Sequence, residues 1–312
     1  MGFEHRSVMP SEVHEYQNLK PGSICVDCTL GGAGHALSTL KAILPDGLLI
    51  GIDQDMDALA HAKKKLAPFK ENVRLFHNNF SDLPEILESN GIEGADSILL
   101  DLGFSLNQIK HGKRGFSFKL DEPLDMRMDI RNELTAGHII NSYTEKELRE
   151  IFFRFGEENF SSRIARAIVR ERSNQPILTS KALSDIIVSA VPAKNRFRQK
   201  IHPATRVFQA LRIAVNNELE NLKTFMEEVP DLLKKGGRIC VISFHSLEDR
   251  IVKQAFKKLE SGCTCPRDLP QCGCGFVPQL TSILKKPLAP TKEEIDANPM
   301  ARSSRLRVAQ KI

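Results

Sequence analysis

Five continuous apolar runs, each followed by a helical stretch, constrain this chain more than any other feature. They are ICVDCTL (24–30), LLIGID (48–53), VRLFHN (73–78), SILLDL (97–102) and RICVISF (238–244). A strand that is apolar on both faces must be covered on both faces, so these runs predict parallel strands in a doubly wound α/β sheet. Helices are expected from about Ala33, over residues 58–66 and near residues 83–87. Between Phe104 and Ala204 the rhythm fails and only helices are found: residues 144–155, opened by the capping-box pair Thr144 and Glu147 and ended by Gly156, then 162–171 and 181–190. One long helix is expected from Pro203, with Val207, Leu211, Val215, Leu219, Leu222 and Met226 on one face, and another over residues 247–259. Residues 281–286 and 304–312 are candidate strands. The predicted organisation is a sheet domain over 1–104 and 205–312, interrupted by an inserted helical domain over 105–204.

The 312 residues, 41% hydrophobic and 27% charged, have an ordinary globular composition and suffice for one large domain with an insertion. No apolar run approaches the ~18 residues of a membrane span. The stretch MGFEHRSVMP lacks the apolar segment of a signal peptide, so a cytoplasmic protein with no membrane partner is expected. A net charge of +5 permits a polyanionic partner. In a reducing compartment the seven cysteines are expected as thiols or metal ligands rather than disulfides. Cys263, Cys265, Cys272 and Cys274 have the spacing C-x-C-x6-C-x-C. They are either a structural zinc site, with four thiolates and no open position for catalysis, or two reduced thiol pairs.

After the first strand the chain reads DCTLGGAGH (27–35), a glycine-rich turn that lets backbone N–H groups approach a ligand. In doubly wound sheets the ligand lies at the carboxyl ends of the strands, and an acidic residue closing the second strand takes ribose hydroxyls. Asp53 closes LLIGID. A nicotinamide dinucleotide and S-adenosylmethionine both satisfy that rule. Three features favour the second: the turn lacks G-x-G-x-x-G spacing, Asp27 lies where a ligand ammonium needs a carboxylate, and Asn78, Asn79 and Phe80 form a polar-then-aromatic ending suited to adenine. The fourth strand ends in DLGF (101–104), where the ligand's reactive end should point. Asp101 and the carbonyls of Leu102 and Gly103 are placed to accept hydrogen bonds from an exocyclic amine, and Phe104 to stack on its base.

Four longer segments carry a resemblance: RGFSFKLDEPLDMRMD (114–129), FGEENFSSRIARAIVRER (155–172), HPATRVFQALRIAVNNELE (202–220) and GGRICVISFHSLEDRIVK (236–253). Together they resemble the RsmH family, also called MraW, bacterial methyltransferases acting on 16S ribosomal RNA. The resemblance implies a Rossmann-like class I methyltransferase sheet with an inserted helical substrate-recognition domain. It further implies methyl transfer from S-adenosylmethionine to N4 of a cytosine in the decoding centre of 16S rRNA, cytosine 1402, with the small ribosomal subunit or a late precursor as partner. The implied donor site is Ala33, Gly34 and His35 in the turn, with Asp53, Phe80, Asp101 and Gln108. Family members commonly read Val-Ser-Ser-Pro-Gln where this chain has Phe104 to Gln108, so Phe104 is not a family feature.

Beside Asp101, His245 is a candidate proton acceptor or RNA contact, or a structural histidine bonded to a neighbouring carboxylate. Arg114, Arg127 and Arg206 are candidates for gripping RNA, with ion pairs to Asp121, Asp125 or Asp129 as the alternative. The run KNRFRQK (194–200), including Arg196, Arg198 and Lys200, has four cations around one aromatic and is read as an RNA-binding loop against a solvated charge run. An NAD-dependent oxidoreductase and an inactive ribosome-binding relative are the competing functions.

Overall fold

The computed structural model describes residues 7–104, 108, 113–196, 201–262, 265 and 273–312, with the side chains of 195 and 196 outside that description. The chain divides into two compact units, one of residues 1–103 with 219–312 and one of residues 104–218.

In the first unit, α1 (Pro10–Gln17), β1 (Ile24–Asp27), α2 (Gly34–Ile43), β2 (Leu48–Asp53), α3 (Met56–Lys65), β3 (Val73–His77), α4 (Leu83–Ser89) and β4 (Ala95–Asp101) alternate along the chain. The second unit contains α5 (Ala136–Ser142), α6 (Glu145–Gly156), α7 (Ser161–Arg172), α8 (Ser180–Ala190), the single turn α9 (Ala193–Arg196) and α10 (Ala204–Asn216). The first unit then resumes with α11 (Glu218–Leu232), β5 (Leu233–Ser243), α12 (Ser246–Ser261), β6 (Leu280–Ser282), α13 (Lys292–Ala297) and β7 (Arg305–Lys311).

The sheet order is β3-β2-β1-β4-β5-β7-β6. The first five strands are parallel, and β7 runs antiparallel to both β5 and β6. This is the expected Rossmann-like class I methyltransferase arrangement, with its switch point between β1 and β4, where β1 pairs with both β2 and β4. Alternate residues of each strand face opposite sides. Val26, Ile50, Ile52, Ile98, Leu100 and Val241 pack with Leu83 and Ile86 of α4, Phe225 and Val229 of α11 and Phe256 of α12. Cys25 and Leu49 pack with Ala36, Leu40 and Leu59 of α2 and α3, and Leu99, Cys240 and Ile242 with Val13 of α1. Two-sided burial explains why these strands read as unbroken apolar runs.

The helical unit has its own core, including Phe152, Ile164, Ile168, Leu183, Ile187 and Leu211. Thr144 caps α6 as expected: the Glu147 amide donates to its hydroxyl and its own amide donates to the Glu147 carboxylate. Gly156 serves packing rather than termination. A Cβ there would lie 2.5 Å from the Arg206 carbonyl of α10, while the left-handed residue closing the helix is Glu157. The long helix expected from Pro203 is two helices, broken at Asn217 in the left-handed region (φ 51°). Residues from Thr205 to Asn216, assigned from the sequence to the sheet domain, lie in the helical unit. The tail strand expected over 281–286 forms at Leu280–Ser282, after which the Ile283 amide still donates to the Val308 carbonyl.

Candidate active site

The parallel strands deliver Asp27, Asp53 and Asp101 to their carboxyl ends, from β1, β2 and β4. The turn after β1 is tied to its neighbours. The Cys28 amide donates to the Leu99 carbonyl, the Leu30 amide to the Ile52 carbonyl, and the Gly31 amide to Oδ2 of Asp53 at 2.9 Å. Lys65 of α3 donates to the Gly32 carbonyl at 2.7 Å. Ala33 then turns left-handed (φ 52°) and starts α2 at Gly34. A Cβ on Gly34 would meet the Ser7 hydroxyl at 2.1 Å, so a side chain there would require Ser7 to turn away.

Asp53 accepts a second backbone hydrogen bond, from the Asp55 amide to Oδ1, and burial nevertheless raises its pKa to about 6. Asp27 is buried, accepts from the Thr29 amide, and is pushed up to about 7, chiefly by burial and secondarily by the Asp53 charge. Asp101 is held well above the usual carboxylate range by burial, then by the charges of Asp27, Glu248 and Glu294. Its Oδ2 is 3.8 Å from Nε2 of the buried His35. Its Oδ1 is buried and accepts no hydrogen bond among the described residues. Its backbone amide donates to the Thr29 hydroxyl at 2.7 Å, joining the ends of β1 and β4. Three carboxylates so arranged disfavour their own ionisation and favour a cationic ligand with N–H donors.

Sequence reasoning missed Thr29, Lys65 and Glu294. Glu294 adds its charge to the Asp101 environment and also accepts the Met9 amide hydrogen bond. Only the Asp-x-Thr spacing of Asp27 and Thr29 hints at such a turn.

Several candidates take structural places. The Phe80 ring packs edge-on against Phe225 with centroids 5.5 Å apart and contributes to the core beside β3. Asn79 caps the turn it opens by accepting from the Ser81 amide. His245 is the N-cap of α12: Nδ1 accepts from the Glu248 amide, while Nε2 lies 3.1 Å from Oε1 of Glu248. Nδ1 thus serves the helix cap, the structural alternative, while Nε2 is buried and makes no hydrogen bond among the described residues despite its closeness to Glu248.

In the helical unit, Gln108 is buried. Arg127 forms a two-pronged pair with Asp125 and donates to the Ile130 and Asn132 carbonyls. Arg114 donates to the Arg127 and Met128 carbonyls. Both guanidiniums help to hold the 114–132 segment, and for Arg127 the ion pair with Asp125 is the one of the alternatives that forms. Arg206 donates to the Glu157 carbonyl. Phe104 lies between the Phe116 ring, at 5.9 Å, and the Arg212 guanidinium, at 4.5 Å, and is not free to stack on a base. Arg198, Lys200, Cys263, Cys272 and the side chain of Arg196 lie outside the described residues, whereas Cys265 is half-buried and Cys274 exposed. Among the described residues, no helix is long and apolar enough to cross a membrane.

Residues 2–312 match the model of the MraW methylase family. A protein of Desulforapulum autotrophicum named ribosomal RNA small subunit methyltransferase H is 61% identical over 312 residues, covering 100% of both chains. Its namesakes in Desulfosudis oleivorans and Clostridioides difficile are 54% and 47% identical over 312 residues, again covering 100% of both chains.

Proposed function

The chain belongs to the MraW methylase family, and from that premise we propose that it transfers a methyl group from S-adenosylmethionine to the N4 amine of a decoding-centre cytosine in 16S rRNA. The names of its full-length relatives support small-subunit rRNA as the substrate class. One observation carries the chemistry: a half-buried carboxylate at the end of β4, Asp101, with one buried oxygen accepting no hydrogen bond among the described residues. Such an oxygen costs free energy unless a donor reaches it. The residues fit the donor molecule. Asp53 supplies acceptor lone pairs for ribose hydroxyls beside its backbone bonds, and Asp27 and Asp101 supply negative charge for its cationic end. When bound, S-adenosylmethionine supplies an electrophilic methyl on a sulfonium.

The lone pair of a cytosine amine is delocalised into the ring. Asp101 accepts a hydrogen bond from that amine, holds it in orientation and stabilises the positive charge that develops on nitrogen. Thr29, through its bond to the Asp101 amide, sets the strand end from which the carboxylate reaches.

The test is a labelled-methyl transfer assay on small subunits from cells lacking this protein, with mass mapping of the modified nucleotide. Asp101→Asn is expected to lose about 10²–10³ in single-turnover rate at saturating donor, comparable to deleting one preorganised electrostatic contact. Near-wild-type turnover removes Asp101 from the chemistry, and loss confined to donor affinity makes it a binding residue only.

A further inference from the structure

The helical unit carries an aromatic arrangement that neither the carboxylate site nor the arginine contacts use. The rings of Phe118 and His202 lie 7° from parallel with centroids 4.5 Å apart, and Phe208 braces Phe118 edge-on at 5.6 Å and 83°. Phe208 is anchored in the unit's core. His202 is exposed, whereas Phe118 is half-buried.

The imidazole is held in orientation. Its Nδ1 accepts a hydrogen bond from the Ala204 amide at 3.2 Å, at the start of α10. That bond places the proton of the neutral ring on Nε2. Desolvation, and then the charge of Lys119, keep the imidazole below its ordinary range, so it stays uncharged at neutral pH. Lys119 itself is exposed. A flat, neutral, fixed ring that already stacks on a second ring is matched to an unpaired base, and a neighbouring cation is matched to the phosphate that follows it.

We propose that Phe118 and His202 form a stacking platform for an unpaired base of the substrate RNA, the base lying as the third ring on the outer face of His202. The proposal rests on the reading of the chain as an rRNA methyltransferase and adds the manner in which its helical unit holds single-stranded RNA.

Two substitutions separate stacking from helix capping, because each keeps one property of His202 and loses the other. His202→Asn retains an acceptor for the Ala204 amide but has no ring. His202→Trp retains a stacking face but loses the acceptor. The probe is a single-stranded RNA of about a dozen nucleotides, within the usual reach of such sites, with 2-aminopurine placed at each position in turn. On the full-length protein, at least one position is expected to be quenched by stacking. His202→Asn is expected to weaken binding about 5- to 100-fold and abolish the quench, with the slope of affinity against salt unchanged. His202→Trp is expected to bind as tightly as wild type and keep the quench while melting at a lower temperature. Lys119→Ala is expected to reduce the salt slope by about 0.7, as for one single-strand phosphate contact.

Affinity of His202→Asn within twofold of wild type overturns the platform, as does binding that follows the melting temperatures of the two variants. Methyl transfer by the wild-type protein is measured separately. Failure there sinks the functional reading, whereas transfer with unaltered binding in His202→Asn sinks the platform alone.

Discussion

At the residue scale, Asp27 shows how the site trades its own stability for affinity. The ordinary pKa of 3.8 is raised to about 7 in the folded chain, and that of Asp53 to about 6. Between those limits the folded chain holds protons that the unfolded chain has released. These groups' contribution is therefore fully present below about pH 4 and is lost as pH rises through about 6 to 7. A cationic ligand reverses the preference by stabilising the ionised forms. Affinity for S-adenosylmethionine is expected to rise between about pH 5 and pH 8, by up to tenfold per unit for each group that must ionise, with protons released on binding. Calorimetry in buffers of different ionisation enthalpy measures that release directly, and a flat affinity across this range contradicts it. Asp27→Asn keeps the acceptor for the Thr29 amide and removes the charge. It is expected to raise the melting temperature of the unliganded protein at pH 8 by about 2–8 °C, at ~2–4 °C per kcal/mol, while weakening donor binding.

At the scale of elements, α12 gives the sharpest check on His245. His245→Asn keeps an acceptor for the Glu248 amide and is expected to leave both melting and single-turnover rate close to wild type. His245→Ala is expected to cost about 0.5–2 kcal/mol of stability, the usual value of an N-cap. Equal loss of rate in both variants returns the imidazole to the chemistry. The same helix shows what was legible in the sequence. His245-x-x-Glu248 has the spacing of a capping box, yet a histidine at the cap is easily taken for a catalytic group. The five parallel strands and the carboxylates of Asp53 and Asp101 were legible because two-sided burial writes unbroken apolar runs and topology then fixes which ends hold ligands. The break at Asn217 was not. Val207, Leu211, Val215, Leu219, Leu222 and Met226 keep helical spacing in the sequence, so the stripe reads straight through, although the first three lie in the core of the helical unit and Leu222 and Met226 in that of the sheet unit. Its only signal was an asparagine, which tolerates that conformation. Thr29 and Asp101 are 72 positions apart, and no local pattern links them.

At the scale of the molecule, the chain passes between its two units only twice, at Gly103–Phe104 and at Glu218–Leu219. Each unit has its own core, so donor binding and RNA binding are expected to be separable by mutation. Reversing the charges of Arg196, Arg198 and Lys200 is expected to weaken RNA binding and lower its salt slope by about 0.7 for each lost phosphate contact, leaving donor affinity as it was. An unaltered slope makes the run a solvated surface. The raised carboxylates at the ends of β1, β2 and β4 have a consequence for the protein's lifetime. The unliganded form is the less stable one at neutral pH, and occupancy stabilises it in proportion to the logarithm of ligand concentration. Proteases act on what is transiently open. When the methyl donor is scarce the protein is therefore expected to be cleared faster, which its half-life in donor-replete and donor-depleted cells measures.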